Sequence, residues 1–333
     1  MNILLNTSLI IFSLNAYSNT KIVGGADVAR NSTVEKSTVA LITEYKGKLV
    51  VYCTGTPLNE YVVITAAHCV DSIIHPVLYI SNGENPLTNK LRYKVSKLIY
   101  YKPQYASNME DVEDVAILVT EKAMLSYSAA KLGNPNSLNS SNSYIQAGYG
   151  YQSFDPTSSS YPNIGQLQKL EKGYFDSLVK HVVTINTSEH DGVMGGDSGG
   201  PLFINSNNQL SLLGVLSQGG PTFGPGGNKQ NSIYASPYFF INWMNCYLPE
   251  KLKIKTSFTL SDQFSCNGKN LVLIKDLPQH NRDSCQNFRV GWSINNADPV
   301  CWPSTKASCE LYSLEVGGEL YWDQLENNCA IKE

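Results

Sequence analysis

From Ile22 to Leu248 the apolar positions fall in short runs cut by polar turns: STVALITEY, LVVYCTGTPL, YVVITAAHCV, VLYISN, DVAILVT, YIQAGYG, KHVVTI and QLSLLGVLS. Their length and their Val, Ile, Thr and Tyr content predict β-strands. No helical pattern alternates with them, which points to an antiparallel sandwich or barrel and away from a parallel sheet. One helical signature stands at the end of the region: SPYFFINWMNCYL, Ser236 to Leu248, opens on Ser-Pro, a pair suited to a helix N-terminus. The pattern therefore predicts an all-β unit of β-barrels closed by a short C-terminal helix.

Two polar stretches interrupt that pattern. SFDPTSSSYPNIG, Ser153 to Gly165, reads as an exposed insertion, and GGPTFGPGGNKQNS, Gly219 to Ser232, as a long glycine- and proline-rich loop. After the helix, the charged connection PEKLKIK marks a domain boundary at 248/249. Residues 249–333 then carry Cys266, Cys285, Cys301, Cys309 and Cys329 together with Trp292, Trp302 and Trp322. Such a span predicts a small cysteine-rich domain, in which disulfides compensate for a modest core. Five sulfurs cannot pair among themselves, so Cys246 is expected to join them.

Ahead of the strands, MNILLNTSLIIFSLNAYS has an apolar centre and ends on small residues, the pattern of an export signal over residues 1–18. It has no early Lys or Arg, and a buried N-terminal segment is the alternative. No other run approaches the ~18 apolar residues needed to span a bilayer. The expectation is a secreted protein, extracellular or periplasmic in transit, with no membrane span.

Composition adds exclusions. With 333 residues, 42% of them hydrophobic, the chain can build one large core or two smaller ones. A net charge of -3 with no basic patch argues against nucleic acid as a partner. Eight cysteines agree with an oxidising compartment; no CxxC pair or zinc-type Cys/His spacing occurs, so no metal and no cofactor is expected.

The chemistry is concentrated in VMGGDSGGPLF, Val193 to Phe203, where one hydroxyl, Ser198, sits among four glycines. Glycine serves where the backbone takes a positive φ or approaches another group closely. A nucleophilic serine also needs a base and a carboxylate that orients the base. Of five histidines, His68 alone lies in a tight apolar context, VITAAHCV, at a strand end. Asp114 immediately precedes the apolar run VAILV and is drawn inward, whereas Asp111 stands in a charged run and reads as solvated.

The motifs IVGG at Ile22 to Gly25, TAAHC at Thr65 to Cys69, DVAIL at Asp114 to Leu118 and GGDSGGPL at Gly195 to Leu202 occur in that order. In these motifs the chain resembles the chymotrypsin-like (trypsin-fold) serine proteases over residues 22–248. The resemblance implies two six-stranded antiparallel β-barrels with a short C-terminal helix. It implies a triad of Ser198, His68 and Asp114, with an oxyanion hole from the amides of Gly196 and Ser198. It implies a zymogen, with a propeptide of residues 19–21, cut between Lys21 and Ile22, whose new amine pairs with Asp197. It also implies a disulfide between Cys53 and Cys69, and a polypeptide substrate laid as a strand along Ser217, Gln218 and Gly219.

Several positions depart from the family pattern. Met194 stands where a pocket cysteine is usual, Gln218 where a tryptophan commonly follows the pocket serine, and Gly148-Tyr149-Gly150 where Gly-Trp-Gly is usual. An ungapped count puts Gly192 at the base of the specificity pocket with Val193 beside it, which predicts an uncharged, apolar or bulky residue at P1, the residue before the scissile bond. A one-residue bulge would instead bring Asp191 to the base and favour Lys or Arg. With an uncharged pocket the Lys21-Ile22 bond requires a separate activating protease. The protein is expected to act as a monomer. The rival readings are a catalytically silent, protease-like binding protein or adhesin, and an esterase or acyltransferase using Ser198.

Overall fold

The computed structural model describes residues 22, 25–45, 48–71, 78–101, 113–139, 142–150, 166–188, 191–206, 209–222 and 229–259. Beyond these it describes 271–275, 292–294, 301–303, 320–323 and 328–331. The export-signal segment, Lys21, the insertion at 153–165, Asp111 and the cysteines at 266, 285 and 309 lie outside the described residues.

A short strand β1 (Ala26–Asp27) precedes the first barrel, which is built from β2 (Val39–Tyr45), β3 (Lys48–Pro57), β4 (Val62–Thr65), β5 (Leu78–Ser81), β6 (Tyr93–Tyr101) and β7 (Ala116–Thr120). These run in the order β6-β5-β2-β3-β4-β7, and antiparallel pairing of β6 with β7 closes the ring. A two-residue strand β8 (Lys131–Leu132) leads on. The second barrel consists of β9 (Tyr144–Gly148), β10 (Gln168–Val179), β11 (Val182–Thr187), β12 (Pro201–Ser206), β13 (Gln209–Thr222) and β14 (Lys229–Ala235). Its order is β10-β11-β14-β13-β12-β9, closed by β9 against β10. The two closed six-stranded antiparallel barrels expected from the resemblance are therefore present.

Closure removes the exposed sheet edges that open β-sheets must protect. It also buries β4 (VVIT) and β7 (AILVT) along their whole length, which is why these strands read as unbroken apolar runs. Among the described residues the α-helices are α1 (Thr33–Lys36), α2 (His68–Asp71) and α3 (Pro237–Tyr247). In α3, Pro237 occupies the first turn, and Phe240, Ile241, Trp243 and Met244 are buried. They share one apolar cluster with Val62 and Leu118 of the first barrel and Phe203, Leu212 and Val215 of the second. The helix thus packs across the junction of the barrels, and the Lys97 ammonium donates to the Tyr247 carbonyl at its C-terminal end, 2.7 Å away.

The expected loop at Gly219 to Ser232 is shorter than its composition suggests. β13 and β14 continue their ladder through Gly219↔Ser232, Gly220↔Asn231, Pro221↔Gln230 and Thr222↔Lys229. Backbone pairing, once set in register by the apolar part of a hairpin, extends through residues that would not nominate themselves as strand.

Beyond α3, a strand β15 (Leu271–Lys275) pairs antiparallel with β6 of the first barrel, Leu271↔Tyr101 through Lys275↔Lys97. β16 (Trp292–Ile294) pairs with β17 (Cys301–Pro303), and β18 (Leu320–Asp323) with β19 (Asn328–Ile331). Cys246 of α3 is disulfide-bonded.

Candidate active site

The register of the first barrel brings the histidine to the aspartate. Thr65 ends β4 and pairs with Ala116, the first residue of β7. His68 lies three residues past Thr65 at the start of α2, and Asp114 lies two residues before Ala116. Small buried Ala66 and Ala67 let the chain turn tightly between strand and helix. As a result His68 Nδ1 is 2.6 Å from Asp114 Oδ2, and the His68 amide donates to Asp114 Oδ1 at 2.8 Å. The Ser217 hydroxyl donates to Oδ2 as well, at 2.6 Å. A carboxylate only 1% exposed is thereby supplied with three hydrogen-bond partners, which offsets the cost of burying it. The sequence places Ser217 only along the expected substrate strand; its hydroxyl is committed to Asp114.

Ser198 comes from the other barrel, on the turn that leads into β12. That turn needs Gly196 at φ +94° and Gly199 at φ +79°, a region open to glycine at little cost. A Cβ at Gly199 would also lie 2.0 Å from Thr65 Oγ1 and 2.3 Å from the Thr54 carbonyl. Glycine here permits the two barrels to meet. Thr54 fastens them: its amide donates to the Ser198 carbonyl at 2.8 Å, and its hydroxyl donates to the Gly196 carbonyl at 2.9 Å and accepts from the Tyr149 amide at 3.0 Å. Its carbonyl accepts from the Thr65 hydroxyl at 2.7 Å.

The Cys53–Cys69 disulfide completes the link, because Cys53 precedes Thr54 and Cys69 follows His68. The Cys69 sulfur is 3.9 Å from His68 Nε2 and 3.6 Å from the Ser198 carbonyl oxygen. Histidine and serine are thus gathered around one sulfur. Cys53, His68 and Cys69 also form a compact grouping of metal-ligand types, but the disulfide occupies both sulfurs. Among the described residues this is a covalent staple between site elements.

Behind the serine, Asp197 is fully buried. Its carboxyl accepts from the amides of Gly150 at 2.8 Å and Met194 at 2.9 Å. Burial pushes its pKa from 3.8 up to about 7, against the opposing pull of the Met194 and Gly150 amides. A Cβ at Gly148 or Gly150 would lie within 2.2 or 2.6 Å of this carboxyl group, which explains the Gly-Tyr-Gly sequence. The intervening Tyr149 is buried, and its hydroxyl donates to the carbonyls of Gly83 and Thr38. Among the described residues no cation pairs with Asp197, and Ile22 is 1% exposed.

Around the expected pocket, Ser217 is buried whereas Gln218 and Gly219 are exposed. Asp191, Gly192 and Val193 are buried. The Asp191 carboxylate accepts from the Ser188 hydroxyl at 2.7 Å, and its carbonyl accepts from the Thr187 hydroxyl.

Two closed antiparallel barrels, with a histidine-aspartate pair from one and a glycine-turned serine from the other, define the class of β-barrel serine hydrolases. The family model described as Trypsin matches residues 22–244, and the chain belongs to that family. Among curated proteins it is 28% identical over 267 residues to chymotrypsin-like elastase family member 1 of Bos taurus, covering 74% of this chain and 97% of the relative. It is 27% identical over 247 residues to spermosin of Halocynthia roretzi (69% and 63% covered). It is also 26% identical over 240 residues to vitamin K-dependent protein C of Mus musculus (64% and 49% covered). The protein is a serine endopeptidase, and its substrates are polypeptides.

Proposed function

We propose that the chain is an exported serine endopeptidase made as an inactive precursor. Residues 1–18 serve as the export signal, 19–21 as the propeptide, 22–248 as the protease unit and 249–333 as a cysteine-rich C-terminal region. A separate protease cuts between Lys21 and Ile22, and the released protein works as a monomer. Ser198 Oγ attacks the scissile carbonyl while His68 Nε2 takes its proton. Asp114 holds the ring with Nδ1 as donor and stabilises the imidazolium. The amides of Gly196 and Ser198 hold the developing oxyanion. His68 then returns the proton to the leaving amine, and water hydrolyses the acyl-enzyme by the same route.

The observation that carries this reading is the hydrogen-bonded His68–Asp114 pair, joined to the Ser198 turn through Thr54 and the Cys53–Cys69 disulfide. The exposure of Gln218 and Gly219 on β13 supports an extended substrate added as an antiparallel strand. An uncharged P1 residue is favoured, since the Asp191 carboxylate is engaged by Ser188.

Processing with trypsin tests the precursor reading. The purified chain should gain peptidase activity in step with the appearance of a new N-terminus at Ile22, and Lys21→Gln should gain none. Full activity in the uncut chain, or in Lys21→Gln after treatment, would contradict it.

A further inference from the structure

We infer that Thr54 is a positioning residue for the oxyanion hole, its hydroxyl holding the peptide unit that separates the two donor amides. The inference rests on the endopeptidase reading above, in which the amides of Gly196 and Ser198 receive the developing charge.

Those amides belong to the peptides 195–196 and 197–198, and the peptide joining Gly196 to Asp197 lies between them. The carbonyl of this middle peptide accepts from the Thr54 hydroxyl at 2.9 Å, and its N-H donates to the Met194 carbonyl at 3.0 Å. One residue further on, the Ser198 carbonyl accepts from the Thr54 amide at 2.8 Å. Thr54 therefore holds the carbonyl of each residue whose amide is an oxyanion donor. The backbone contact is open to any residue but proline, whereas the side-chain contact needs a short hydroxyl.

Gly196 is the residue that depends on this contact. It sits at φ +94° with a second glycine, Gly195, ahead of it, so the chain here has more backbone freedom than any other pair of residues would leave it. The hydroxyl that restrains it has one arrangement. Thr54 is buried and its oxygen accepts from the Tyr149 amide at 3.0 Å, so its single proton goes to the Gly196 carbonyl. Its methyl lies against Gly200, where a Cβ would be 3.4 Å from Thr54 Cγ2, and a β-branched side chain packed in this way is stiff at χ1. Without the hydroxyl, the middle peptide keeps only its bond to Met194, and a rotation about it moves one donor relative to the other. Displacing a group at the reacting centre by about 1 Å costs about a hundredfold in rate.

The test uses the full chain cut at Lys21-Ile22, as parent, Thr54→Val and Thr54→Ser, with sites counted by fluorophosphonate labelling carried to completion. Thr54→Val keeps the shape and removes the hydroxyl; it should lower kcat by roughly ten- to hundredfold while KM changes by less than about threefold. Affinity for a peptide trifluoromethyl ketone, whose adduct with serine carries the oxyanion, should fall by the same factor as kcat/KM, a correlation that loss of folded protein would not give. The acid limb of the pH profile of kcat/KM should stay in place, because the His68–Asp114 contacts do not involve Thr54. Thr54→Ser should keep kcat within about threefold of the parent. If Thr54→Val folds poorly, Thr54→Ala, which adds no atom to the site, makes the same comparison with Thr54→Ser. Parental kcat in a folded variant without the hydroxyl, or equal losses with and without it, would overturn the inference and leave the endopeptidase reading standing. A cut parent chain that takes up no label would overturn both.

Discussion

Replacing Asp114 by Asn is expected to lower kcat by about 10⁴-fold while leaving the barrels folded. The carboxylate has only acceptors, and all three of its partners here are placed as donors: the His68 amide on Oδ1, and His68 Nδ1 and the Ser217 hydroxyl on Oδ2. Asparagine keeps one acceptor and brings two N-H donors. With its oxygen on the His68 amide, its NH₂ faces Nδ1 and forces that nitrogen to accept. The ring proton then sits on Nε2, which can no longer take the proton of Ser198. Side-chain volume is unchanged, so circular dichroism and melting should show a folded protein. Steady-state kinetics on the cut enzyme check this; a loss of tenfold or less would mean that Asp114 does not set the histidine tautomer.

The second large effect concerns Asp197 and the dependence of stability on pH. In the uncut chain burial holds this carboxyl up near 7, above its ordinary 3.8. A raised carboxyl pKa means that the folded state holds a proton the unfolded state has released. Its favourable contribution is full below about pH 4 and lost as pH rises through about 7, by at most about 4 kcal/mol. In the proposed activation, cleavage before Ile22 would create an ammonium that, paired with Asp197, would favour the ionised form and remove that loss. Thermal melting of the Ser198→Ala protein, cut and uncut, near pH 5 and near pH 7.5 reads the difference. The uncut form should lose stability between these values and the cut form should not; parallel pH profiles would refute the pairing.

The site motifs were legible in the sequence because each step of the chemistry restricts residue type and spacing. A hydroxyl among glycines, a histidine after small residues at a strand end and an aspartate ahead of an apolar strand each have a physical reason. Other features had no local signal. β10, QKLEKGYFDSLV, carries charge along its exposed side, where Lys169 and Glu171 pair with each other, so apolar alternation is weak. β14 begins on Lys229, Gln230 and Asn231, which read as loop until pairing with β13 is known. Thr54 is an ordinary strand residue by sequence, and its joining role depends on contacts from the other barrel. The same holds for β15: LVLIK is visibly apolar, but its partner β6 lies in the first barrel, far back along the chain. The sequence leaves Asp191 and Gly192 as alternatives for the pocket base because they are neighbours, and no local pattern tells which of two adjacent residues a turn presents; in the fold the Asp191 carboxylate accepts from the Ser188 hydroxyl and Gly192 lies close to Gln230.

The central claim, that Ser198 is activated by His68 once Lys21-Ile22 is cut, is tested most directly by covalent labelling. Fluorophosphonates react with a serine that has an operating base and oxyanion hole, and not with ordinary hydroxyls. The cut chain should take up one label, located at Ser198 by peptide mass spectrometry, with uptake abolished in Ser198→Ala and strongly slowed in the uncut chain. A folded, fully cut protein that takes up no label, or takes it up at another residue, would contradict the account.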